Sequence, residues 1–188
     1  MRRLRFRLLL VVLIGGVLAG CDSAVSGEET IVLTAEVSTD DQGDPIRFTF
    51  QADDYETGRL ADVQCGCSLD LGEFLADRGF TKADIVSATV QAARLRMLFP
   101  IQERLDFLNR AILKLEASGN SVTEIAELED FPASAEASLT PRSGRDVAGF
   151  VDDGSFEPIL QIDPARLLAG REYEIGLVLT IRVEVEGF

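Results

Sequence analysis

The chain has 188 residues, 46% hydrophobic and 27% charged, enough for one domain with a core of its own. Its 32 acidic residues outweigh 18 basic ones for a formal charge of −14, which opposes docking on nucleic acid, where basic residues supply the attraction. Histidine and tryptophan are absent, which excludes a histidine-based triad, a histidine metal site and a histidine pH switch.

Residues 1–20 open with Arg2, Arg3, Arg5 and Arg7, then run through the apolar stretch Leu8 to Ile14 and Gly15-Gly16-Val17. A basic head before an apolar run is the layout of a secretory signal peptide, and the run is shorter than the roughly 20 residues that cross a membrane. Leu18-Ala19-Gly20-Cys21 follows directly and resembles the lipobox of bacterial lipoproteins, which is cleaved just before the cysteine. The resemblance implies a diacylglyceryl group on the Cys21 thiol and an acyl chain on its new amino terminus, because several chains anchor stably where one does not. It also implies a place in a bacterial cell envelope, periplasmic or surface-facing, with the membrane as partner through the N-terminal lipid. Asp22 resembles an inner-membrane retention signal of some Gram-negative lipoproteins, so either membrane stays open. Without residues 1–20 the chain keeps 14 basic and 32 acidic residues, a formal charge of −18.

Residues 21–29 are small, polar and acidic, as a flexible tether would be, and the domain is expected over 30–188. Ile31, Leu33, Ala35 and Val37 alternate with polar neighbours and predict a strand. A turn rich in aspartate spans Ser38 to Pro45, and Ile46, Phe48 and Phe50 predict a second strand that closes a hairpin. After an acidic loop at Asp53, Asp54 and Glu56, the residues Val63, Cys65, Cys67, Leu69 and Leu71 alternate again. An extended segment would hold both thiols on one apolar face about 6.6 Å apart, at the long end of disulfide geometry. Two buried free thiols are therefore favoured, and a Cys65–Cys67 bridge requires a local kink that Gly66 permits.

Asp70 can cap a short helix through Leu75 that ends at Gly79, and Thr81 with Asp84 matches a capping box. A long strand runs from Val86 to Phe99, with a change of phase at Ala92-Ala93 that predicts a β-bulge. Over 101–128 the pattern fits a short helix near 102–108 followed by a hairpin through Ser118-Gly119-Asn120-Ser121, with a single helix through 118 as the rival. A short strand is expected at Ala135 to Leu139. Residues 73–80 and 149–156 share an apolar pair, an acid, a glycine and a closing phenylalanine, and each predicts a short helix plugging one end of a sheet. Pro158 marks Phe156 to Ile162 as an edge strand. From Tyr173 to Val185 every second residue is apolar without a break, which predicts a long central strand.

About eight strands, polar turns, few helices and no βαβ rhythm predict a mainly β fold, an antiparallel β-sandwich, immunoglobulin-like or jelly-roll-like, with a few short helices. Together with the tether, these features resemble the uncharacterised β-sandwich lipoproteins of bacterial envelopes. Asp40, Asp41 and Asp44 around Gly43 are the candidate calcium ligands, since calcium takes several oxygens from one flexible loop, and Asp152 and Asp153 before Gly154 form another acidic group. No spacing matches an EF-hand, and no serine has a histidine base or a Ser-x-x-Lys partner, so an enzyme is not expected. The expected function is a lipid-anchored, non-catalytic binding or structural module for an envelope protein or polysaccharide. The alternative is a calcium-dependent or carbohydrate-binding surface domain, or less readily a carbohydrate-active one.

Overall fold

The computed structural model describes residues 30–152 and 155–187. The expected signal segment 1–20, Cys21, the expected tether to residue 29 and Asp153 lie outside the described residues. The domain is mainly β and antiparallel throughout, a curled nine-stranded sheet folded over itself in the manner of a sandwich. One layer holds β1 (Thr30–Val37), β2 (Arg47–Gln51), β4 (Ile85–Phe99), β7 (Glu136–Pro141) and β9 (Glu172–Glu186). The other holds β3 (Ala61–Gln64), β5 (Leu108–Ala117), β6 (Thr123–Glu129) and β8 (Phe156–Pro164), and two residue pairs between β6 and β7 turn the corner.

β9 is central. It pairs along one side with β4 and along the other with β1 and β2. The seven residues singled out by period two, Tyr173 through Val185, are all buried, and Tyr173 stacks on Phe50 at 5.3 Å and meets Phe107 at 4.8 Å. Leu113 and Leu115 of β5 and Leu160 and Ile162 of β8 face them across the core. Ile112 and Ile159 are buried on the outer face instead, beside Lys114, whose Nζ lies 3.1 Å from Asp62.

Two short helices close the ends, α1 (Gly72–Ala76) with Leu75 buried and α2 (Ala148–Asp152) with Val151 buried, one from each of the two similar stretches. The segment 101–128 folds as a 3-10 turn at Leu105–Phe107 and then the β5–β6 hairpin, not as one helix. Thr81 and Asp84 form their capping box, with the Thr81 N–H donating to Asp84 Oδ2 at 2.7 Å.

Four local expectations are corrected. β1 and β2 do not pair with each other: the turn between them lays both end to end along β9, whose 15 residues offer a ladder to each. The bulge in β4 falls between Val90 and Ala92, with further shifts at Ile85/Ser87 and Met97/Phe99. β8 is interior, between β5 and β3, and the β3 ladder stops at Gln64 opposite Ile159, one position short of Pro158. The cysteines do not extend β3. They form a disulfide, as described next.

Candidate functional site

The two features that stood out in the sequence, the aspartate turn and the cysteine pair, meet at one place in the fold. The turn buds from the β1–β2 edge and is pinched at its base by the Thr39–Pro45 bridge and an Ile46 N–H to Ser38 O bond of 3.1 Å. Asp40 holds it together: Oδ1 accepts the Gln42 N–H at 3.0 Å and the Asp44 N–H at 2.8 Å, and the Asp40 N–H donates to Asp44 O at 2.8 Å. This is the aspartate turn that backbone chemistry favours on its own. The Asp41 N–H then donates to Ser68 O at 2.9 Å and ties the turn to the cysteine segment.

Cys65 and Cys67 are bonded, with their α-carbons 5.1 Å apart. The spacing expected of two free thiols assumed an extended chain. Gly66 instead takes φ of +62°, a conformation open to glycine, and the kink shortens the span. The kinked loop sits opposite Glu157 and Pro158. A proline has no N–H to give a ladder, so β3 leaves β8 there, and the Gly66 N–H donates to Glu157 Oε1 at 3.2 Å. Pairing resumes where Leu69 and Phe156 exchange backbone bonds of 2.8 and 3.0 Å.

Past Leu69 the chain enters α1. Asp70 accepts the Gly72 N–H at 2.6 Å and pairs with Lys82 Nζ at 2.8 Å. Desolvation, the largest single influence on its carboxyl, raises the pKa, but the hydrogen bonds from Lys82 and Gly72 and the Lys82 charge together hold it below its ordinary value. Arg78 lies over the Phe74 ring, 3.8 Å from its centroid, and fixes that ring at the surface.

Between β1, the aspartate turn and α1 runs a groove of about 380 Å³. Ala35 and Val37 of the β1 edge form one wall, Leu71 and Phe74 the other, and Glu36, Asp40, Asp41, Asp70 and Glu73 supply five carboxylates along it. A shallower groove of about 340 Å³ shares Asp40 and continues past Asp44 and Arg47 to the disulfide. Among the described residues no three His, Cys, Asp or Glu side chains gather into a group that could hold a metal ion, so Asp40, Asp41 and Asp44 line grooves without converging on a point. Glu36, Glu73 and Phe74 had no signal in the sequence, because only the sheet pairing and α1 bring them to the turn.

A second charged set lies on β5, β6 and the end of β7. Arg142 bridges Glu124 at 2.7 Å and Glu127 at 3.1 Å, and Arg110 meets Glu127 at 2.9 Å beside a groove of about 490 Å³. The hydrogen bond to Glu127 leads the influences that hold the Arg110 guanidinium above its ordinary pKa. Both arginines are engaged by carboxylates of their own sheet, so this set staples strands together. No family model and no curated protein matches the chain.

Proposed function

We propose that the chain is a lipid-anchored protein of a bacterial envelope whose β domain is a non-catalytic binding module. The observation that carries the module is the groove beside β1: an open trough with an apolar wall and an acidic rim suits recognition of a ligand's surface. Within the aspartate turn, Asp40 Oδ1 is occupied by two backbone N–H groups, a use of the carboxylate that holds the turn's shape. The lipobox-like Leu18-Ala19-Gly20-Cys21 supports the anchor, and the eight residues after Cys21 could reach about 28 Å from a bilayer to Thr30.

Detergent phase partition of the full chain expressed in a bacterial host tests the anchor. The protein should enter the detergent phase and Cys21→Ser should leave it in the aqueous phase; equal partition of the two would overturn the anchor. For the module, the full chain should turn over no glycan or ester substrate. Turnover abolished by a single Asp→Asn change at 40, 41 or 44 would contradict it, and a melting temperature raised several degrees by millimolar calcium would favour the turn as a metal site instead.

A further inference from the structure

The fold ends in two very different sheet edges. At the β3 edge the strand has four residues, and the disulfide loop swings the chain out of the ladder opposite Pro158. Short strands, kinks and prolines are the devices by which sheets blunt an edge against further pairing. At the β1 edge none of these is present. β1 runs eight residues in unbroken register against β9, contains no lysine, proline or bulge, and has Glu36 as its one charge. In an antiparallel edge strand every second residue turns its N–H and C=O away from the neighbour. No backbone group of residues 30–37 bonds any described residue outside β9.

The side chains of this edge are also uncovered. Ile31 is 38% exposed and Val32 50%, although Val185, the partner of Ile31, is fully buried. By strand alternation Ile31 and Leu33 share the face of buried Ala35, so the core face is left open at the start of β1. Towards its end the edge forms the wall of the acidic groove, with Leu71 and Phe74 across from it. A free edge, a strip of apolar surface beside it and a facing helix are the parts used where a peptide adds a strand to a sheet.

Resting on the binding-module reading, we propose that β1 takes an extended, basic polypeptide segment of a partner protein as an added strand. The ladder supplies affinity independent of sequence. Alternate apolar residues of the segment cover Ile31, Leu33 and the Leu71–Phe74 wall, and its lysines or arginines meet the exposed Asp41 and Glu73 of the rim. A second copy of this chain fits less well. It would bring the same acidic rim and another formal charge of −14 to the contact.

Fluorescence anisotropy of the full chain with a labelled decapeptide of alternating lysine and valine tests the proposal. Saturable binding is expected, with weakening of about tenfold when Asp41 and Glu73 are both replaced by lysine, exposed changes whose fold is checked by thermal melt. Methylation of every second backbone nitrogen of the peptide should weaken binding by a similar factor of about tenfold, since it removes the ladder donors. A peptide of alternating glutamate and valine should not bind. Absence of binding by the lysine peptide, or equal binding of its methylated form, would overturn strand addition while leaving the module reading in place. A dimer in sedimentation equilibrium that buries β1 without peptide would assign the edge to a second copy and overturn it also. Turnover of a substrate, by contrast, would sink the module reading alone.

Discussion

With φ at +62° and open space where a β-carbon would project, Gly66 carries the turn that joins Cys65 to Cys67. The strain of an L-residue there is therefore conformational and not a clash. Gly66→Ala should cost about 1–2 kcal/mol of stability in urea denaturation, with Gly66→Asn costing less, because asparagine tolerates the left-handed region. Equal and negligible effects would mean that the loop does not hold this turn. Asp70 gives a pH signature. Its pKa is depressed in the fold, so the stability it contributes is present above its ordinary value of 3.8 and is lost as pH falls through the lower folded-state value. Lys82→Met should thus lower stability at pH 7, modestly since the Asp70 side chain is partly open to solvent, and the deficit should shrink in urea melts at pH 3. A deficit independent of pH would assign the loss to packing of the lysine stem. Asp40 shows that one acid can serve two uses at this level. Its composition matched a calcium loop, yet the carboxylate accepts N–H groups from its own turn, and a sequence does not distinguish the two uses.

β9 is the element on which the others depend, since β1, β2 and β4 all pair with it. Leu179, fully buried on its inner face, should cost about 2–5 kcal/mol when cut to alanine, the range for buried large-to-small changes. A smaller loss in equilibrium unfolding would mean that the two layers close over the gap. β9 was legible because one buried face imposes period two over its whole length. The β5–β6 hairpin was legible for the same reason, aided by Ser118-Gly119-Asn120-Ser121. What stayed hidden depends on partners distant in sequence. The Ser38–Pro45 turn reads as a hairpin turn, and only β9 lying alongside lays β1 and β2 in a line. Pro158 reads as an edge residue, and inside the sheet its missing N–H coincides with the break in the β3 ladder at the Cys65–Cys67 loop. The groove was invisible for a like reason: Glu36, Asp41 and Glu73 are brought together by sheet pairing and α1.

The long strands give the domain two ends. Thr30 pairs with Glu186 at one, where the segment bearing Cys21 enters, and Phe99 pairs with Glu174 at the other, where Ile101 is 84% exposed. With about 3.3 Å per residue, the twelve steps of β9 from Glu174 to Glu186 separate them by roughly 40 Å. An anchor at Cys21 would hold the start of β1 nearest the bilayer, with the acidic groove further along the same edge, reachable from the side by a partner in the envelope. A free β1 edge is what this arrangement requires. Amide hydrogen exchange of the full chain without ligand, followed residue by residue by NMR, measures it directly. Residues 30–37 should alternate, slow where the N–H bonds β9 and fast where it faces outward. Uniform protection along β1 would contradict a free edge, because some other strand would already be paired there.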